Sequence, residues 1–429
     1  MTSLRSRLFI SWLVLVPVVC GPAFAQDLAR ALPEEVGLSS ERLQRLSDVL
    51  QDYVDEGRLA GSVALVARYD RVAYLEPFGY RDLESRSPMH ADAIFRIASQ
   101  TKALVSVAIM MLQEQGLLLI SDPVGKYLPE FQATTVAEPM DGGGYQVVDA
   151  DRPVTIRDLL THTSGISYGY GVAADRWAEA GIQGWYFADR DEPIRNTVER
   201  MAALPFDAQP GERWIYGYST DILGAVVERV SGLTLDEFLR TRILEPLGMH
   251  DTHFYLPEAK SDRLAVVYST REDGTIERAP DPGGMEGQGA YVEGPRKSFS
   301  GGAGLLSTAN DYARFLQMLL NGGELDGTRI LSRKTVELMT VDHLRELQLS
   351  DGVGFGLGFS VVKDLGARGS PGSVGEFGWG GAYHSVYWVD PEEQLVVVYL
   401  TQLIPANGID DHGKLRTLVY QALDDDEGW

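Results

Sequence analysis

Two side chains of complementary chemistry stand three residues apart in Ser99-Gln100-Thr101-Lys102, at the mouth of the apolar run Ala103–Leu112. Residues at i and i+3 of a helix share a face, so this spacing brings a hydroxyl and an amine together. The run holds no Gly or Pro and predicts a helix over 103–115, with Ser99 in the first turn. There, free backbone N–H groups and the helix dipole favour developing negative charge. A serine so placed, with an amine to take its proton, suits nucleophilic acyl transfer. A capping serine beside a solvated lysine would leave the same pattern. The spacing recurs in Ser360-Val361-Val362-Lys363. That stretch reads as a strand, where i and i+3 face opposite ways.

The elements that must hold such a pair follow from hydrophobic periodicity. Strands are expected at Gly61–Arg68, Arg71–Pro77, Val386–Val389 and Leu395–Leu400, so they cluster at both ends of the chain. A helix capped by Ser39-Ser40 should run to about Val54, and another should cover 415–423. The middle reads as mostly helical, with candidates at 155–161, 221–231, 235–243 and 309–320. Residues 133–153 and 271–298 read as loop-like insertions. The economical arrangement is an α+β fold: one sheet from 26–110 and 290–429, a helical domain inserted over 111–289, and a cleft where they meet.

Composition narrows the function further. Arg5 and Arg7 precede the apolar run Leu8–Cys20, and Ala23-Phe24-Ala25 offers small residues for cleavage before Gln26. Residues 1–25 are therefore expected to be a secretory signal, too short to span a membrane as a helix. Losing Arg5 and Arg7 takes the formal charge from −23 to −25. Such acidity argues against nucleic acid or anionic membranes as partners. Cys20 is the only cysteine and leaves with the signal, so disulfides and cysteine chemistry are excluded from the exported chain.

Several further segments join Ser99 in order. Phe95-Arg96-Ile97-Ala98-Ser99-Gln100-Thr101-Lys102 is followed by Ile120-Ser121-Asp122-Pro123-Val124 and by Tyr127-Leu128-Pro129-Glu130. Next stand Leu159-Leu160-Thr161-His162-Thr163-Ser164-Gly165, Pro210-Gly211-Glu212-Arg213-Trp214-Ile215-Tyr216 and Pro246-Leu247-Gly248-Met249. Gly301-Gly302-Ala303-Gly304 and Trp379-Gly380-Gly381 complete the series. In this order the chain resembles the serine hydrolases of the class C β-lactamase and penicillin-binding-protein superfamily, and most of all its family VIII carboxylesterases. The likeness runs from about residue 40 to 400.

The resemblance implies a β-lactamase/transpeptidase-like fold, an antiparallel sheet flanked by helices with the active site against a helical domain. It implies Ser99 as nucleophile, Lys102 as its partner and Tyr216 as the tyrosine that shares the proton. Trp379, Gly380 and Gly381 would take the edge-strand place of the lactamase Lys-Thr-Gly, and the backbone N–H groups of Ser99 and Ala382 would form the oxyanion hole. Tyr218, two residues past Tyr216, is a candidate substrate contact, and Tyr218-Ser219-Thr220 competes for the tyrosine's place. The implied mechanism uses no cofactor and no metal. A solvated lysine is protonated and cannot act as a base, so Lys102 must be buried or set near charge. Whether Lys102, Tyr216 or the coupled pair is the base stays open.

Departures from the lactamase pattern point to the substrate. Tyr-x-Asn is replaced by Tyr216-Gly217-Tyr218, and Lys-Thr-Gly and Lys-Ser-Gly are absent. Trp379 and Gly380 offer neither cation nor hydroxyl to a substrate carboxylate, a contact of the kind worth about 1.5–3 kcal/mol. Small neutral esters of short to medium acyl chains are therefore expected. β-Lactams, D-amino-acid peptides, other amides and acyl transfer remain alternatives on the same scaffold, and a lapsed binding module is the non-enzymatic one. No His-Glu-x-x-His occurs. His250 and His253 read as structural or solvated rather than as a zinc site, and His384 as a satisfied surface histidine. The glycines of 366–381 lack phosphate-loop spacing, and Asp424-Asp425-Asp426-Glu427 reads as a solvated tail.

Overall fold

A computed structural model describes residues 27–347 and 349–424. The expected signal, Cys20 and most of the acidic tail lie outside the described residues. Among those described, no helix is long and apolar enough to cross a membrane.

The frame is a nine-stranded sheet. Its long strands are β1 (Gly61–Arg68), β2 (Arg71–Asp82), β3 (Phe377–Gly381), β4 (Ser385–Asp390) and β5 (Leu395–Thr401). Across the sheet the order is Ala29–Arg30, β2, β1, β5, β4, β3, Ser360–Val362, Val353–Phe355, with Ser87–Pro88 pairing to β2. Every pairing is antiparallel except Ala29–Arg30 with β2, so the sheet is mixed rather than purely antiparallel. Residues 111–289 give it no strand.

Helices cover both faces, which is why β1 and β5 are apolar throughout rather than alternating. Helices α1 (Ser40–Asp55), α2 (Thr101–Glu114), α3 (Ser219–Ser231), α4 (Ala309–Leu320) and α5 (Asp411–Tyr420) matter most. On one face Leu43, Leu46 and Leu50 of α1 and Leu415 and Val419 of α5 pack with Ala64, Val66, Val397 and Tyr399. On the other, Val63, Leu65, Val396, Val398 and Leu400 join the core that holds α2, α3 and α4. The period of two along each strand assigns neighbours to opposite cores.

Five expectations need correction. Strand β2 continues to Asp82, beyond Pro77, because its far end pairs with Ser87–Pro88. The segment 133–153 is no loop: Thr135–Pro139 and Tyr145–Asp149 form a hairpin, turned by Gly143 and Gly144 at positive φ. Helix 235–243 is α-helical only over Leu235–Leu239 and then widens into a π turn, Arg240–Leu244. The final helix starts four residues earlier than its apolar pattern suggested, at Asp411, and ends at Tyr420. In 271–298 there is likewise a short strand, Ile276–Arg278, paired with Tyr268–Thr270.

Candidate active site

Ser99 sits in a single 3-10 turn, Ala98–Gln100, that leads directly into α2. Ala98 takes a positive φ of 40°, an uncommon conformation for a residue with a Cβ. Helix α2 is buried nearly all round, so Lys102 in its first turn is only 2% exposed. Its ammonium donates to Ser99 Oγ at 3.2 Å, to the Tyr168 hydroxyl at 3.1 Å and to the Gly302 carbonyl at 2.7 Å. Three acceptors match the three donors of an ammonium group.

Tyr216 reaches this pair through backbone pairing elsewhere. The Ile215 N–H donates to the His162 carbonyl at 2.8 Å, and the Gly211 N–H to that of Thr163 at 2.7 Å. The ring of Tyr216 then lies 4.6 Å from Lys102 Nζ. Gly217 is required here, since a Cβ would stand 2.4 Å from the Ile166 carbonyl oxygen. His162, at positive φ, stacks 4.7 Å from Tyr216, and its pKa is pushed well below the ordinary value by burial and by Lys102. It is held neutral against the site. Trp214, Phe355 and Trp379 complete an aromatic wall around Tyr216, with Trp214 and Trp379 at 5.7 and 5.4 Å.

Strand β3 brings the second set of groups. Trp379 Nε1 donates to the Tyr216 hydroxyl at 2.9 Å. Gly381 passes so close to the nucleophile's turn that a Cβ would lie 2.5 Å from the Ile97 carbonyl oxygen. Ala382, the next residue, packs against the buried cluster that includes Ala98. Neither the Ser99 nor the Ala382 backbone N–H donates to any described residue. Gly380 lies between Trp379 and Gly381 on the strand, with Ser385 O its nearest neighbour to a Cβ at 3.0 Å.

Tyr218 is not at the site. It is 0% exposed, stacks on Trp177 and donates to the Gly184 carbonyl at 2.9 Å, so it has no surface for a substrate. One residue of spacing after Gly217 turns it inward at the start of α3. In its place the structure brings in Tyr168, half-buried, with its pKa raised well above the ordinary phenol value by desolvation and then by Tyr216. Asp221, in the first turn of α3, was also missed. Its Oδ1 accepts from Ser300 Oγ at 2.7 Å and from the Gly302 N–H at 3.0 Å, while the buried Oδ2 has no partner. Burial pushes this carboxyl up, and the Ser300 bond and the charge of Lys102 pull against it. The sequence signals were a tyrosine three residues beyond Gly165 and an acid five beyond Tyr216.

The remaining candidates fall elsewhere. Ser360 Oγ donates to the Gly378 carbonyl at 2.8 Å and Lys363 pairs with Asp342, so they serve the sheet edge. His253 Nε2 stands 3.2 Å from Lys260 Nζ, which also donates to the His250 carbonyl. His384 is not on the surface but half-buried and turned away from the cleft, bonded to Asp411 at 2.7 Å. A concavity of about 720 Å³, lined by Arg152, Arg157 and His343, does not contain Ser99. Its guanidinium groups are engaged by Asp158 and His343.

The family model described as Beta-lactamase matches residues 46–420. The chain is 34% identical over 373 residues to Protein Rv1367c of Mycobacterium tuberculosis, covering 84% of this chain and 90% of that one. It is 35% identical over 375 residues to Esterase EstB of Burkholderia gladioli, covering 83% and 89%. Among solved structures it superposes with a TM-score of 0.76 on EstCE1, described as a hydrolase with promiscuous acyltransferase activity. That match is 29% identical and covers 88% of this chain and 98% of the other.

Proposed function

The chain belongs to the beta-lactamase family, as a serine hydrolase close to the family VIII esterases, and from that premise we propose that it is a carboxylesterase. Ser99 Oγ attacks the ester carbonyl, and its proton passes to the Lys102–Tyr216 pair. The carbonyl oxygen, now negative, takes the Ser99 and Ala382 N–H groups, each donor of this kind being worth about 3 kcal/mol or more. Tyr216 returns a proton to the departing alkoxide, leaving the acyl group on Ser99, and water releases it.

The observation that carries this reading is the 3.2 Å contact between Lys102 Nζ and Ser99 Oγ beneath the ring of Tyr216. Substrate choice rests on the wall: Trp379 and Trp214, backed by the buried Phe355, suit a neutral acyl or alcohol group rather than a carboxylate. The resemblance of EstB and EstCE1 supports esters in the same direction. Acyl transfer to an alcohol is the second reading, favoured by that apolar wall, because a bound alcohol would displace water from the same acyl-enzyme. Export through residues 1–25 belongs to this proposal on sequence features alone.

The test is Ser99→Ala assayed on p-nitrophenyl butyrate. Activity should fall at least about a thousandfold. Hydrolysis that survives in the purified variant sinks the proposal, and faster turnover of a chromogenic cephalosporin than of simple esters replaces it with lactam hydrolysis.

A further inference from the structure

A cluster of ligand-type side chains lies behind the oxyanion turn and has no part in the reaction. His384 closes the turn after β3, where its N–H donates to the Gly381 carbonyl at 3.0 Å. Asp411 and His412 open α5. One ligand atom from each of the three lies within 4.8 Å of the others, and no second such trio occurs among the described residues.

The surroundings are those of a metal site. Asp411 is fully buried, its Oδ1 facing His384 Nε2 at 2.7 Å and its Oδ2 accepting from the Tyr399 hydroxyl at 3.0 Å. His412 Nε2 donates to the His384 carbonyl at 3.2 Å, which leaves its Nδ1 as a lone pair. No described residue donates to that nitrogen. Ligating histidines commonly anchor their second nitrogen on a carbonyl in this way. The two imidazoles lie face to face with centroids 4.0 Å apart, an arrangement that disfavours charge on both.

We propose that His384, Asp411 and His412 bind one divalent transition-metal ion, with solvent water completing its shell. Two imidazoles and a carboxylate suit zinc, cobalt, nickel or copper rather than magnesium or calcium. On binding, the proton shared by His384 and Asp411 moves to His384 Nδ1 or to solvent, and two metal–ligand bonds replace that hydrogen bond. His412 turns out of the stack to shorten the longest edge. These displaced contacts oppose binding and weaken the affinity. An ion there ties the turn that carries Ala382 to the start of α5.

The experiment is calorimetric titration of the chelator-treated full chain with ZnCl₂, alongside visible absorption on adding CoCl₂. Wild type and Ser99→Ala should each take up one equivalent with the same affinity, which separates this site from the hydrolase assignment. His412→Gln, which keeps a donor for the His384 carbonyl, should bind at least tenfold more weakly. His384→Asn, tolerant of the positive φ, gives a second reading if His412→Gln fails to fold. No uptake by the wild type, equal affinity in the variants, or loss of binding in Ser99→Ala overturns the proposal.

Discussion

The indole Nε1 of Trp379 donates a 2.9 Å hydrogen bond to the hydroxyl of Tyr216, joining the sheet edge to the segment that follows His162. The tryptophan is therefore more than a wall for substrate. It fixes the phenol oxygen from one side and leaves the phenol's own proton free to donate elsewhere. Trp379→Phe keeps the ring and removes the donor. We expect kcat for ester hydrolysis to fall about fivefold, near the 1 kcal/mol of an ordinary hydrogen bond, with KM little changed. A rise in KM alone would return Trp379 to a purely packing role.

The two tyrosines near Lys102 should separate by kinetics. Both rings are half-buried. The Tyr168 hydroxyl accepts from Lys102, and desolvation holds its pKa well above the ordinary value, so it stays protonated. The Tyr216 hydroxyl instead takes the Trp379 indole N–H. Tyr216→Phe should cost about 10² to 10⁴ in kcat, as removal of an acid–base group does. Tyr168→Phe should cost about tenfold, as loss of one acceptor. Measured kcat values in the reverse order would transfer the proton-carrying role to Tyr168.

Asp221 acts on Lys102 through Gly302, whose N–H it binds and whose carbonyl the lysine holds. Asp221→Asn keeps an oxygen for Ser300 and Gly302 and deletes a buried charge. An amide oxygen holds the Gly302 N–H more weakly than a carboxylate, so the carbonyl that positions Lys102 loosens and kcat should fall about tenfold with KM little changed. A purely structural aspartate would leave kcat in place while lowering Tm.

What the sequence could show was whatever local order encodes. Ser99 and Lys102 are neighbours on a helix, and Tyr216 and Trp379 stand in segments with recognisable letters around them. Tyr168 and Asp221 meet Lys102 only because distant segments cross, and no spacing along the chain announces that. Tyr218 was misjudged for the same reason: its direction is set by Gly217 packing on Ile166 and Ser167. The hairpin in 133–153 hid because its glycine turn and charged strand ends read as loop. The sheet was legible because β1 and β5 are apolar on both faces.

Acid should unfold the protein in two windows. Burial and Lys260 push His253 from 6.5 down to about 4. For adjacent Asp251, burial raises the carboxyl, but hydrogen bonds from Arg263 and Lys260 outweigh it and bring 3.8 down to about 2. Both groups bind protons less readily folded than unfolded, so each contributes stability that is present at neutral pH and lost as pH falls. The histidine contribution disappears between pH 6.5 and 4, the aspartate contribution between 3.8 and 2. His253→Gln should flatten the upper part of a plot of Tm against pH and leave the lower part unchanged. An unchanged upper slope would assign that window to other groups, His412 first among them.

The closest test of the oxyanion geometry is a single methyl group. At Gly381 a Cβ would stand 2.5 Å from the Ile97 carbonyl oxygen, well inside van der Waals contact, and both partners are backbone. That carbonyl also accepts the Gln100 N–H at 3.0 Å, so the turn holding Ser99 cannot simply give way. The edge strand must retreat, carrying the Ala382 N–H away from the Ser99 N–H. A misplacement near 1 Å costs about a hundredfold in rate. Gly381→Ala should therefore lose about that much kcat with little change in KM, since the wall that binds the ester lies on other residues. Gly380→Ala provides the control: its nearest obstacle is Ser385 O at 3.0 Å, and it should stay within a few-fold of wild type. Equal kcat values for the two variants would mean that β3 does not set the oxyanion donors.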